Sequence, residues 1–419
     1  MMGGRLGGLI HGLRKLRQPP DFESLQAAKS PNELAQVALI PAARNLGIAI
    51  GFLPTSLRVE ATAALLACRV LDAYEDLTHR PTASCAVQTA VDYLNGVAAS
   101  PPPAPDVATV RDSEAVDLLL ARRIRDIRTL LSTLPADAQE RVSHLLADIG
   151  TVMTRNLDSP LPRTAYGAGV LGRIARYACS LVADDTSTEN DLSELAECIG
   201  IAAQLANDLR DHELALYGAG DREELTRAVM LRLLTPALGS FVLLARLGTS
   251  TQSLGARAAT AYMTITTTGF LCTAVGAPIP YRQQRQLGAA ILAACSSSRW
   301  TAMLVRVRRS ADQAIHQMLD TSSNVSLETG PAVDVLNLNE PYAAAPTSLD
   351  RLTVGTTFAL VGALPEDPLT GGLPDSQVRR MMLADHLAFG ALDRLPPRDT
   401  DAMHALATAF QLAALDTKN

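Results

Sequence analysis

The chain has 419 residues, of which 47% are hydrophobic and only 19% charged, with a net charge of −6. That balance supports a large core and excludes disorder over most of the length. It also argues against nucleic-acid binding through phosphate contacts, and the mild acid excess names no partner.

Alanine and leucine dominate while aromatics make up 4%, a mix that favours helices over sheets. Residues 1–20, "MMGGRLGGLIHGLRKLRQPP", read as a flexible leader: they carry basic residues but no apolar run long enough for a secretory signal. Residues 21–320 read as one all-α domain. Its first part, from Asn32 to about Asn95, is helical and broken by "GFLPTS" (51–56), where Ser56 is a candidate cap for the next helix. "SPPPAPD" (100–106) is a stiff solvated loop. Helical spacing then covers 113–134, 135–157, 167–184 and 191–216, the last two separated by the polar cluster "DDTSTEND". Further helices are expected at 223–247, 253–270, 282–296 and 300–319, and no segment alternates as a strand. Residues 321–348 read as a linker, and 349–419 as a C-terminal helical extension with short helices at about 376–392 and 400–416.

Six cysteines are scattered without CxxC spacing, which fits free thiols in a reducing cytoplasm. Apolar runs such as "LLTPALGSFVLLA" (233–245) are interrupted by Pro and Gly and fall short of a bilayer span. A soluble cytoplasmic protein without stable membrane insertion is expected.

Two stretches carry the chemistry. In "CRVLDAYED" (68–76), Asp72, Glu75 and Asp76 share one helix face with Arg69, while Leu66, Val70 and Ala73 form the apolar back. In "QLANDLRD" (204–211), Gln204, Asn207, Asp208 and Asp211 cluster similarly behind the apolar run "IGIAA". Like carboxylates at this spacing repel by ~0.2–0.5 kcal/mol per pair on an exposed helix, and by more when buried. One such triplet alone reads as a solvated helix face. Two, on helices with apolar backs, point to a bound cation, and hard oxygen ligands suit magnesium completed by water and substrate phosphates.

These residues bear a resemblance. "GFLPTSLRVEATAALLACRVLDAYEDL" (51–77) resembles the first signature of squalene and phytoene synthases, and "GIAAQLANDLRD" (200–211) their second. "RYACSLVAD" (176–184) is similar to the tyrosine-bearing segment between the two, and "PAARNLG" (41–47) to an upstream segment whose arginine contacts a diphosphate. The similarity spans roughly residues 30–310. It implies the all-α isoprenoid synthase fold, in which helices surround a deep apolar cavity with Mg²⁺-binding acids at its mouth. It further implies Asp72, Asp76, Asp208 and Asp211 as metal ligands, helped by Glu75 and Asn207. Arg44, Arg69 and Arg210, with Gln204, are implied as diphosphate contacts, and Tyr177 as the catalytic tyrosine.

The sequence also departs from that pattern. An acid expected four residues after Asp211 is Ala215, position 208 is Asp where the family is apolar, and Tyr177 falls one residue out of phase. An altered second cluster implies one diphosphate beside an acceptor that has none. Relatives in bacterial specialised metabolism move a dimethylallyl group onto the carbon of a small aromatic acceptor such as a carbazole. The alternative is head-to-head condensation of two prenyl diphosphates, and a third reading is a non-catalytic helical binding protein.

Overall fold

The computed structural model describes residues 2–183 apart from 108 and 109, residues 186–217 and 253–295, and scattered positions between 221 and 247 and between 299 and 317. The expected helices at 223–247 and 300–319, the linker and the C-terminal extension lie wholly or mostly outside the described residues.

Every regular element among the described residues is helical. In chain order these are α1 (Met2–Lys15), α2 (Phe22–Ala27), α3 (Pro31–Phe52), α4 (Thr55–Leu77) and α5 (Arg80–Leu94). There follow α6 (Asp112–Arg122), α7 (Ile124–Ser132), α8 (Ala136–Asp158), α9 (Arg163–Gly169), α10 (Leu171–Val182) and α11 (Thr186–Asp211). A 3-10 turn (Leu214–Tyr217), α12 (Leu254–Val275) and α13 (Gln284–Ala294) complete the set.

The axis of the molecule is α4. Its 23 residues contain no interior Gly or Pro and are rich in Ala and Leu, so the segment favours a helix of roughly 35 Å. Leu66, Val70, Leu71 and Tyr74 are fully buried, as expected for a helix apolar on most of its circumference. Each such side chain contributes ~1.5–3 kcal/mol on leaving water. α3, α5, α6, α7 and α8 pack around α4. One core cluster joins α3 to α8, and a second joins α1, α3, α4, α12 and α13.

Several boundaries differ from the sequence reading. The leader is helical: α1 packs on α3 and α13 and buries Leu9. Ser56 lies inside the first turn of α4, whose N-cap is Pro54, so the expected serine cap is absent. The 113–134 helix is divided at Arg123, whose backbone (φ −106°, ψ 25°) leaves the helical region. The 167–184 helix starts earlier, at Arg163, and is divided at Val170. The backbone of α11 starts within the polar cluster expected to be a loop. The proline stretch is non-helical as expected but is not wholly solvated: Pro102 and Pro105 are buried, and the Pro102 carbonyl accepts a hydrogen bond from the buried Tyr74 hydroxyl at 3.2 Å.

α3 is long and apolar enough to cross a membrane by length and composition, unlike the runs weighed in the sequence. Half of that window is buried inside the protein, and Leu34 and Ala38 are sealed in the core, so packing accounts for its apolarity. α3 also kinks: Pro41 removes a helical N–H, and Arg44 takes a left-handed φ of 49° with ψ of −118°. Such a conformation costs of order 1–3 kcal/mol for a residue with a side chain. None of the six cysteines is in a disulfide, and Cys68, Cys179 and Cys272 are buried.

Candidate active site

The C-terminal end of α4 carries the first acidic group. Asp72, Glu75 and Asp76 sit there, as helical spacing requires, with Leu66, Val70 and Ala73 buried behind them. The structure adds Asp117, on α6, a residue that the sequence reading passed over. Arg69 donates through Nε to Asp117 at 3.0 Å and through Nη2 to the other Asp117 oxygen, while Nη1 binds Asp72 at 2.5 Å. All three guanidinium nitrogens are thus occupied by carboxylates.

Four carboxylates therefore share one nearby arginine, and their protonation reflects the shortage. Burial pushes Glu75 up to about 7, opposed chiefly by a hydrogen bond from Tyr166. Asp76 faces solvent, yet protein atoms ring it at the mouth. That loss of hydration, followed by the like charges of Asp72 and Glu75, pushes it up to about 7. Burial raises Asp117 to about 6 against the pull of Arg69, and raises Asp72 as well. The end of α4 holds more negative charge than its own surroundings neutralise.

The second acidic group is organised differently. Asp208 is completely buried on α11 and accepts from Arg163 Nε at 3.0 Å and Nη2 at 2.9 Å. Gln204 donates to it at 2.9 Å, one turn back on the same helix. Beyond Asp211 the chain reverses through His212 (φ 60°) into the 3-10 turn, which returns the Tyr217 hydroxyl to Asp208 at 2.6 Å. Asp208 therefore anchors a polar knot instead of facing an open mouth as its implied metal role requires. Asp211 is exposed and pairs with its neighbour Arg210 at 2.6 and 2.8 Å, which holds its carboxyl below the usual range. Arg111 and Arg44 add smaller attractions to Asp211, and the Arg111 charge is felt by Asp76 as well. Arg210 also lies over the Phe270 ring at 5.5 Å, and Asn207, one residue before Asp208 on α11, is half-buried.

α9 joins the two groups. Tyr166 donates a 2.7 Å hydrogen bond to Glu75, and the Arg163 guanidinium sits 5.1 Å from the Tyr166 ring. The path from α4 to α11 is then Glu75, Tyr166, Arg163, Asp208, every step a direct contact. α9 and the start of α10 can lie this close because Gly167 of α9 and Gly172 of α10 face Gly200 of α11. A Cβ on Gly200 would stand 2.0 Å from the Gly172 nitrogen and 2.4 Å from the Gly167 oxygen. Arg163 and Tyr166 were missed in sequence because the motif search fixed the tyrosine at 177.

Tyr177 stands elsewhere. Its hydroxyl donates to Glu60 at 3.2 Å, and Glu60 is gripped by Arg141 at 2.8 and 2.9 Å. Glu60 precedes Asp72 by twelve residues, roughly 18 Å along α4, so this cluster is separate from the acidic end. Tyr166, not Tyr177, is the tyrosine in contact with the acids. Among the described residues no three acidic, histidine or cysteine side chains converge as a ready-made metal cage.

A helical bundle with this layout, acid-bearing helices meeting at one end, has the all-α isoprenoid synthase fold. A squalene synthase solved with a bound ligand (TcSQS) has the same fold, with a TM-score of 0.52 and 12% identity, covering 70% of this chain and 97% of that one. No protein-family model matches the sequence, and no curated protein matches it in sequence either.

Proposed function

We propose that this protein is a Mg²⁺-dependent prenyltransferase that ionises an allylic prenyl diphosphate, dimethylallyl diphosphate in the first instance. It transfers the prenyl group to the carbon of a small aromatic acceptor, such as a carbazole in bacterial specialised metabolism, and releases diphosphate. The observation that carries this reading is the gathering of Asp72, Glu75, Asp76 and Asp117 at the end of α4, where the Arg69 guanidinium is spent on Asp72 and Asp117 and Asp76 is left exposed. Such a surplus suits a hard cation that brings phosphate oxygens as its remaining ligands. Asp72 and Asp76 would hold it, with Glu75 behind them, and Asp211 would join only by releasing its pair with Arg210. Bound magnesium would supply charge to stabilise the leaving diphosphate.

The chain's own residues do the rest. Arg210, Arg44 and Arg111 offer positive charge to the anion on the α11 side. Tyr166 fixes the Glu75 carboxylate by its hydrogen bond. The apolar body of α4 and its neighbours excludes the water that would quench an allylic cation. The asymmetry of the two groups supports an acceptor without a diphosphate. Asp208 is consumed by Arg163, and Asp211 is paired with Arg210, so surplus carboxylate exists at one jaw only.

The fold shared with a squalene synthase supports a second reading, head-to-head condensation of two prenyl diphosphates. One assay separates the two. The protein is incubated with Mg²⁺ and either dimethylallyl diphosphate with carbazole-type acceptors, or farnesyl or geranylgeranyl diphosphate alone. A prenylated aromatic is the expected product. A squalene- or phytoene-type hydrocarbon overturns the aromatic reading, and absence of diphosphate release from both mixtures overturns both.

A further inference from the structure

We propose that Arg163 is a diphosphate-facing residue positioned by Asp208, so that on the α11 side the anion is met by a fixed guanidinium and not through a metal held by Asp208. This deepens the prenyl-diphosphate reading above and rests on it.

The argument begins with the capacity of Asp208. A carboxylate offers about four lone-pair sites. Oδ1 accepts from Arg163 Nη2 and from Gln204, and Oδ2 accepts from Arg163 Nε and from Tyr217. All four are filled, and the residue is fully buried. Ligating a cation would require breaking at least one of these bonds inside the protein.

Arg163 is only half used. Its Nε–Nη2 edge is locked on Asp208, while Nη1 makes no hydrogen bond among the described residues. The Arg163 side chain keeps 17% of its surface exposed although its Nε–Nη2 edge is sealed against the buried Asp208. The Tyr166 ring holds the guanidinium from one side, and the charge is felt at Glu75, across on α4. A guanidinium immobilised on one edge, with N–H donors open on another, is preorganised for a phosphate oxygen and loses little freedom on binding. Neutralising a buried carboxylate would explain the Asp208 edge alone. It does not explain why the other donors remain open between the two acid-bearing helices.

The test uses the full chain and inorganic pyrophosphate, titrated calorimetrically at fixed Mg²⁺, with the Mg²⁺ concentration for half-maximal binding measured separately. Arg163→Lys keeps a cation beside Asp208, and so the fold, but loses the fork. It is expected to weaken pyrophosphate by about tenfold without changing the Mg²⁺ requirement. Asp208→Asn releases the anchor and is expected to do the same, the double variant being no worse than either single one. Circular dichroism checks that each variant is helical. Wild-type affinity in Arg163→Lys overturns the proposal, as does a raised Mg²⁺ requirement in Asp208→Asn that Arg163→Lys does not share. If the wild-type protein binds no pyrophosphate with Mg²⁺, the prenyl-diphosphate reading itself fails, a distinct outcome.

Discussion

The Tyr166 hydroxyl reaches from α9 to Glu75 on α4 across 2.7 Å, although the two residues lie 91 positions apart in the chain. The bond has consequences for both partners. Burial and the Glu75 charge hold the phenol well above its usual range, so it stays a donor at any physiological pH. The donated proton favours the charged form of a carboxylate that burial otherwise disfavours. Tyr166→Phe is expected to cost ~1.5–3 kcal/mol of stability, the range for a hydrogen bond to a charged group. It also raises Glu75 further, which moves the acidic limb of the pH–rate profile upward. Chemical denaturation and the pH dependence of kcat/KM read the two effects.

Glu75 itself gives a pH test of the metal-free protein. Between the ordinary value of 4.5 and the raised value of about 7, the folded chain keeps a proton that the unfolded chain has lost. Stability from this group is therefore full below about 4.5 and is lost as pH rises through about 7. For a side chain this buried the loss is on the order of 2–3 kcal/mol. Glu75→Gln removes the titration. In the presence of EDTA it should melt above the wild type at pH 8 and close to it at pH 4.5.

Asp76 has no hydrogen-bond partner among the described residues and carries the clearest surplus charge. Asp76→Asn is expected to lower turnover roughly 10²–10³-fold while leaving helical content intact. Added Mg²⁺ should raise the melting temperature of the wild type more at pH 8 than at pH 5, where protons compete for the same oxygens. That pH-dependent gain should shrink in the variant. Full activity of Asp76→Asn would remove the residue from the site.

Arg141 and the buried Glu60 form a further ion pair, away from the acidic end. Arg141→Ala leaves Glu60, only 4% exposed, with the Tyr177 hydroxyl as its remaining partner. The expected cost is ~3–5 kcal/mol of stability. Tyr177→Phe should cost about 1 kcal/mol. Pyrophosphate affinity should be unchanged by Tyr177→Phe, which separates this cluster from the mouth.

Glycine substitutions test the approach of α9 to α11. Gly200→Ala places a Cβ 2.0 Å from backbone and is expected to destabilise at or beyond the upper end of ~1–3 kcal/mol. Gly51→Ala meets nothing within 4 Å in α3 and should stabilise by ~0.5–1 kcal/mol. Thermal melting of the two variants in parallel provides the comparison.

Local periodicity carried much of this protein into its sequence. The acidic face of α4 and its buried back at Leu66, Val70 and Ala73 follow from helical spacing alone, and so does the all-α class. What the spacing could not hold is pairing at long range. Arg163 lies 45 positions from Asp208, and Asp117 lies 48 from Arg69, and neither partner has a local signature. Tyr177 drew attention through a motif, while its hydroxyl is spent on Glu60. The break at Arg123 has no Gly or Pro beside it in the sequence, whereas Pro41 precedes the kink at Arg44 and glycines flank the break at Val170.

The contact of Gly167 and Gly172 with Gly200 sets a gauge for α9 and α10 against α11. Charged residues at the mouth can be exchanged one at a time, each altering affinity or preference while the frame persists. The gauge has no such graded adjustment, because the smallest possible addition, a single methyl group, is already too thick. Diversification of this site would therefore run through its arginines and carboxylates, with the spacing between α9 and α11 held constant beneath them.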